Sequence, residues 1–309
     1  MTGNVLDVAH LAKRYGSLTA VRDLTFTVEP GEVLGFLGPN GAGKTSTLRM
    51  ILGILKPDAG TIRLFGQPWS MQMQPRIGYL PEERGLYRGM KAADAVAYFA
   101  RLKGLDSERA RRGTDAMLER LGLASIAGQR IESLSKGLAQ KVQLAAAIAH
   151  APDLLILDEP FSGLDPLNQQ IIEAIIADEA RAGRSIIFST HTMQHAERLC
   201  RRVVILRRGA KVFDGTVDAA RRLLPRRVRV EAAGNLSFLA ELAGVISLAA
   251  PLPGSQVWEA VLANGAEPLH LLAACIARGT KPIRFDAAEP TLHEAFMAVA
   301  GVADATAAA

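Results

Sequence analysis

The chain has 309 residues, 49% of them hydrophobic and 22% charged, enough to bury a substantial core and to exclude whole-chain disorder. Its apolar runs, such as 142–149 and 154–157, are cut by His150, Pro152 and Asp153, well short of the ~20 residues of a bilayer-spanning helix. The net charge of +5 is unevenly spread: residues 201–227 hold nine basic and two acidic groups, whereas 228–309 hold four and eight.

That basic run could face nucleic acid or anionic lipid, or could be a solvated linker face paired with the acidic C-terminal part. No aromatics are interleaved with its arginines, so a broad nucleic-acid surface is not expected. The first fifteen residues lack the apolar core of a secretory signal, and only two cysteines, Cys200 and Cys275, are present. A reducing cytoplasm is the expected compartment, with both thiols acting as small buried hydrophobes.

In chain order, residues 5–11 and 24–28 read as short strands, and Glu29-Pro30-Gly31-Glu32 as a turn. The segment 33–37 is almost continuously apolar, the pattern of a strand buried on both faces. A glycine-rich stretch follows at 38–45, and helical spacing returns over 46–55 through Leu48, Ile51, Leu52 and Leu55. Further apolar strands are expected at 154–157, 185–188 and 203–206 with helices between them, which argues for an α/β core with a mostly parallel sheet. Segments 90–123 and 133–149, rich in Ala, Leu and Arg, read as an inserted helical subdomain. Beyond the arginines, the pattern is strand 228–232, helix 236–242, strands 245–248 and 256–262, helix 268–276 and strand 282–285. That order is the ferredoxin-like one. A last helix is expected at 291–299, and 303–309 reads as a frayed tail.

Gly38-Pro39-Asn40-Gly41-Ala42-Gly43-Lys44-Thr45 fits the phosphate-binding pattern G-x-x-x-x-G-K-[ST], between a buried strand and a helix as that motif requires. Its glycines allow backbone amides to turn toward phosphate oxygens, and the helix N-terminus adds partial positive charge. Lys44 is expected on the β- and γ-phosphates, Thr45 on Mg²⁺ and Ser46 on the α-phosphate. The apolar strand before Asp158 and Glu159 delivers two acids to one tip: Asp158 as a metal carboxylate and Glu159 as general base for water. A nucleotide and a metal supply a reason for this otherwise costly like-charge pair.

With these motifs in place, the sequence resembles an ATP-binding cassette (ABC) ATPase over about residues 3–220. Leu134-Ser135-Lys136-Gly137-Leu138-Ala139-Gln140-Lys141 stands where that family has its signature, Ser162-Gly163-Leu164-Asp165 resembles its D-loop, and Ser189-Thr190-His191 its switch histidine. The resemblance implies that Tyr15 stacks on adenine and that His191 contacts the γ-phosphate and holds the attacking water. It also implies that Ser135 and the Gly137 amide close over ATP bound by a second cassette, so that two chains complete one site; Lys136 and Leu138 stand where the family has Gly and Gln, and Lys136 either adds a cation toward that phosphate or points to solvent. Glu82 replaces the family's usual Gln as the residue coupling Mg²⁺ to the membrane partner. Pro-Glu-Glu-Arg-Gly-Leu-Tyr at 81–87, Ser-Lys-Gly at 135–137 and the ending 289–296 resemble an exporter-type branch.

The expected fold is therefore α/β: a P-loop NTPase core at 1–220 with a helical subdomain at about 85–150, plus a smaller α+β, ferredoxin-like domain at 221–309. The expected function is the ATP-binding and hydrolysing subunit of a transporter, working with ATP, Mg²⁺, a second ATPase subunit and an integral membrane permease, at the inner face of the cell membrane. A cassette acting on nucleic acid or ribosomes without a permease is the alternative. Two cassettes in one chain, or long coiled coils between Lys44 and Ser135, would mark it, and neither is present. Beside His191, the histidines His150, His195, His270 and His293 read as surface or capping residues.

Overall fold

The computed structural model describes residues 3–83 and 85–301. They form two compact units that divide at Thr216/Val217; the residues of the expected frayed tail lie outside the described ones. No helix among the described residues is long and apolar enough to cross a membrane.

The first unit runs β1 (Leu6–Tyr15), β2 (Leu18–Val28), β3 (Val33–Leu37), α1 (Lys44–Ile51), β4 (Ala59–Leu64), β5 (Gln67–Pro68) and β6 (Ile77–Leu80). Helices α2 (Ala92–Leu102), α3 (Ser107–Arg120) and α4 (Lys136–Ile148) follow. It ends β7 (Leu154–Asp158), α5 (Pro166–Arg181), β8 (Ser185–Thr190), α6 (Met193–Leu199), β9 (Arg202–Arg207) and β10 (Ala210–Thr216). Two sheets result: antiparallel β2-β1-β4-β5 and a six-stranded β10-β9-β3-β8-β7-β6. In the second sheet β3, β6, β7, β8 and β9 are parallel, and β10 is an antiparallel edge. Every residue of β7 and β8 is buried, as a parallel sheet covered on both faces demands. Phe26 of the first sheet meets Phe36 of the second with ring centroids 5.4 Å apart, tying both sheets to one core.

Local chemistry sets several element ends. Helix α1 starts two residues before the expected 46 and stops at Ile51, because Gly53 adopts φ +69° with the Trp69 ring against its Cα. The helical stretch expected at 90–123 is two helices, broken where Gly104 turns at φ +96° and Asp106 caps α3 through the Arg109 amide at 2.8 Å. Strands β4, β5, β6 and β10 were not expected from the sequence. The basic run is largely paired: Arg202 with Glu32 and Asp214, Lys211 with Asp214, Arg221 with Asp218, Arg226 with Glu289 and Arg227 with Glu259.

The second unit comprises α7 (Val217–Arg221), β11 (Arg226–Ala232), β12 (Val245–Ala249), β13 (Val257–Leu262), α8 (Leu269–Ala277), β14 (Pro282–Asp286) and α9 (Leu292–Val299). Its antiparallel sheet has the order β12-β13-β11-β14, the ferredoxin-like order. Buried Val228, Val230, Leu262 and Leu271 form its core. The helix expected at 236–242 is a shorter 3₁₀ turn, Ser237–Glu241. Thr291 and Glu294 close a reciprocal capping box on α9.

Candidate nucleotide site

The parallel sheet gathers the expected residues at one edge. Register pairs Leu37 with Thr190 and Asp158 with Ser189, so the tips of β3, β7 and β8 end side by side, and the loop from β3 into α1 lies over them. Ligands of open α/β sheets bind at such carboxyl ends.

Residues Gly38, Pro39, Asn40, Gly41, Ala42 and Gly43 form the loop, and Lys44 opens α1. Gly43 sits at φ +100°, and a side chain there would run into the Ala20 carbonyl oxygen. Lys44 is only 6% exposed. Its ammonium lies within the loop, donating to Gly38 O at 2.7 Å and Pro39 O at 3.4 Å, and stands 3.5 Å from Glu159 Oε1. Thr45 and Ser46 are half-buried in the first turn of α1, and no acidic side chain occupies that turn.

Asp158 is fully buried and Glu159 nearly so. The Ser189 hydroxyl donates to Asp158 Oδ1 at 2.5 Å, while Asp158 Oδ2 and Glu159 Oε1 are buried with no hydrogen-bond partner among the described residues. Buried unsatisfied carboxylate oxygens are costly, and Glu159 Oε1 stands beside the loop lysine. That donor set fits a hard divalent cation held together with phosphate oxygens. Glu159 takes a left-handed φ of +49°, a strained conformation for a side-chain-bearing residue. Its amide donates to Ser189 Oγ at 3.0 Å and to Ser189 O at 3.2 Å, which holds it there. His191 Nδ1 lies 3.0 Å from Glu159 Oε2. Lys44, Asp158, Glu159 and His191 are thus one cluster.

The remaining expected residues lie apart from that cluster. Tyr15 is 47% exposed at the end of β1, with Lys13 Nζ 5.8 Å from its ring centroid. Glu82 is exposed just beyond β6. Burial and the Asp158 charge raise the Tyr79 phenol above its ordinary pKa, the Glu82 charge adding to this, so the β6 tip feels the carboxylates of the site. Ser135 caps α4 by accepting from the Leu138 amide at 3.3 Å. Ser135 and Lys136 are exposed and Gly137 half-buried. Among the described residues no hydrogen bond or ion pair joins these three to the loop at 38–45. Asp165 caps α5, its carboxylate held below the usual range by the Asn168 backbone and side-chain amides.

Two contributors escaped the sequence reading. In the sequence Ser189 stands out only as part of Ser189-Thr190-His191; its neighbour across the sheet, Asp158, reveals its role. Gln143, buried on α4, donates to Pro81 O at 3.2 Å and Glu83 O at 3.1 Å, fixing the backbone on both sides of Glu82, and no periodicity marks such a residue. His150 and His195 are corrected: both are buried, His195 between the Phe161 ring at 3.9 Å and Glu173 at 2.6 Å.

Residues 21–162 match the sequence profile of the ABC transporter family. YhaQ of Bacillus subtilis, an ABC transporter ATP-binding protein, is 38% identical over 299 residues, covering 96% of this chain and 99% of its own length. The Nod factor export ATP-binding protein I of Paraburkholderia xenovorans is 40% identical over 67% of this chain and 69% of its own. Among solved structures, an ATP-binding subunit of an ABC transporter superposes with a TM-score of 0.66 at 32% identity, over 71% of this chain and 92% of its own. A cbiO1 structure from Clostridium perfringens, part of the complex cbiONQ, gives 0.62 at 27% identity over 69% and 88%. With the loop, the carboxylate pair and the histidine already gathered at one sheet edge, these likenesses identify the chain as a member of the ABC transporter family, an ATP-binding subunit with ATPase activity.

Proposed function

We propose that this chain drives export through a separate integral membrane permease, as one half of a head-to-tail pair of ATPase subunits that closes on ATP at the inner face of the cell membrane. The observation that carries the pairing is the division of the expected site. Lys44, Asp158, Glu159 and His191 converge, while Ser135, Lys136 and Gly137 are presented on the exposed N-terminus of α4 without reaching them. A second copy supplies what one chain lacks.

In that pair the loop amides and Lys44 bind the β- and γ-phosphates, Ser46 the α-phosphate, and the exposed Tyr15 ring the adenine. Thr45 and Asp158, with Glu82 as a further candidate ligand from the tip of β6, would hold Mg²⁺, whose chemistry is to neutralise charge on the phosphates. Glu159 accepts the proton of the attacking water on a carboxylate oxygen, and His191 orients that carboxylate and the water. Lys44 leaves the Gly38 and Pro39 carbonyls as phosphate enters, which couples nucleotide arrival to rearrangement of the loop. Closure does work on the permease only through the difference in ATP affinity between open and closed pairs. Export rather than import is supported by the Nod factor relatives and by the exporter-like stretches at 81–87, 135–137 and 289–296.

The test is affinity purification of the full chain from gently solubilised native membranes, with mass spectrometry of what remains bound. A polytopic membrane protein at one permease half per ATPase subunit is expected. Recovery with ribosomes, nucleic acid or no partner would refute the transport role.

A further inference from the structure

Glu159 holds its left-handed φ of +49° against the preference of the chain around it. The residue before a proline favours extended backbone with φ of about −120°, and Pro160 follows Glu159 directly. Contacts from elsewhere must therefore fix this turn. On its upstream side Ser189 Oγ accepts from the Glu159 amide at 3.0 Å. Downstream, the Ser162 amide closes the turn by donating to Glu159 O at 3.1 Å. Gln140 Nε2 reaches Pro160 O only at 3.4 Å, too long for a strong hydrogen bond. The remaining hold is on Phe161.

Phe161 is buried, its ring edge-on to Phe188 of β8 at 5.9 Å and stacked on His195 at 3.9 Å with 18° between the planes. His195 is buried in the first turn of α6, and its Nδ1 lies 2.6 Å from Glu173 Oε1 on α5. Arg198 donates to the same carboxylate at 3.3 Å, which offsets the Glu173 charge and leaves the imidazole one fixed orientation. Four residues before His195, His191 Nδ1 lies 3.0 Å from Glu159 Oε2. The segment 191–195 thus touches the turn at two points, the Glu159 carboxylate and the ring two residues on.

We infer that His195 is a positioning residue for ATP hydrolysis: its ring, oriented by Glu173, clamps Phe161 and so holds the Glu159 carboxylate where it takes the proton of water. The inference rests on the proposed role of Glu159 as base and adds a residue that acts on it through Phe161. An aromatic stack of this kind shifts an equilibrium between two arrangements by about three- to tenfold. Because the turn is held against its own preference, losing the stack removes the productive arrangement by about that factor, and a reacting group misplaced by about 1 Å is nearly inactive. Turnover should fall accordingly, while ATP binding, which depends on Lys44 and the loop at 38–43, should not. A ring that merely filled space would affect stability and leave turnover alone.

The experiment measures kcat and KM for ATP with the full chain, together with equilibrium binding of a fluorescent ATP analogue and thermal unfolding. The variants are His195→Gln, which keeps a hydrogen bond to Glu173 but loses the stack, His195→Phe, which keeps the stack, Phe161→Leu, and the double variant of His195→Gln with Phe161→Leu. The expected kcat is about three- to tenfold below the parent for His195→Gln and for Phe161→Leu, with analogue affinity within about twofold. His195→Phe should stay within about twofold of the parent kcat, and the double variant should be no slower than the slower single, as for two residues acting as one unit. Parent-like kcat in His195→Gln and Phe161→Leu, losses that multiply in the double variant, or an equal loss in His195→Phe and His195→Gln would overturn the clamp and leave Glu159 as base. If a His195 variant fails to fold, Phe161→Leu decides alone. Glu159→Gln, run in parallel, separates the two claims: hydrolysis at the parent rate would remove Glu159 as base, and the inference with it.

Discussion

Replacing Ser189 by alanine tests how the carboxylate pair is held. Ser189 is fully buried, and its hydroxyl donates to Asp158 Oδ1 at 2.5 Å while accepting from the Glu159 amide at 3.0 Å. A hydrogen bond to a charged group contributes about 1.5–3 kcal/mol. The second bond counts for less, because the Glu159 amide keeps Ser189 O at 3.2 Å. Ser189→Ala should therefore destabilise the first unit by about 2–3 kcal/mol in the absence of nucleotide. Trp69 reports on that unit, and Trp258→Phe removes the other tryptophan of the chain, so urea unfolding in this background isolates the effect. Loss of an orienting bond behind a metal carboxylate also typically costs about 10–100-fold in metal affinity, which should appear as a shift in the Mg²⁺ dependence of ATPase activity. A stability change under about 0.5 kcal/mol with an unchanged Mg²⁺ requirement would refute the assignment of Ser189 to the site.

Three further outcomes are expected. Burial, helped by the Lys103 charge, lowers His150 from 6.5 to about 4, so the folded chain binds fewer protons than the unfolded one between those pH values. The stability associated with neutral His150 is fully present above pH 6.5 and is lost as pH falls toward 4, by up to about 3 kcal/mol at about 1.4 kcal/mol per pH unit; denaturant titrations of His150→Gln should show a flatter dependence in that window. Gly43→Ala places a side chain at φ +100° against the Ala20 carbonyl; a loss of about 1–3 kcal/mol of stability and failure to retain a fluorescent ATP analogue are expected, and parent-like binding would contradict the loop geometry. Cys200 and Cys275 are both buried, and burial raises both thiols, so iodoacetamide should label them only after denaturant is added.

How legible each part was in the sequence follows from where its determinants lie. The phosphate loop and strands β3, β7 and β8 stand out because a sheet covered on both faces imposes unbroken apolar runs, with the glycines and Asp158 at their tips. Strands β4 and β10 escape that rule: most of their residues are exposed or half-buried, and they have no such run to show. The helix expected at 236–242 rests on Leu236 and Leu239, a spacing that a 3₁₀ turn satisfies as well as an α-helix. His195 reads as a surface residue because its burial depends on Phe161 and Glu173, which lie 34 and 22 positions earlier in the chain and reach it only through the fold. The sequence leaves the basic run open between an external patch and a paired face for the same reason, since Arg202 finds Glu32 across 170 positions. In the site, residue types suggest the chemistry proposed for Lys44, Asp158, Glu159 and His191, whereas Ser189 and Gln143 act only through partners set beside them by strand register and helix packing.

The central claim, that two copies complete one ATP site with Glu159 as base, is tested most directly by the Glu159→Gln variant. The amide keeps the shape of the side chain beside Lys44 and His191 but cannot take the proton of water. Size-exclusion chromatography with light scattering, run with and without ATP and Mg²⁺, should show this variant as a monomer without nucleotide and a stable dimer with it. That dimer should retain unhydrolysed ATP, and Ser135→Arg in the same chain should abolish it. A variant that hydrolyses ATP at the parent rate, or that binds ATP and stays monomeric, would contradict the account.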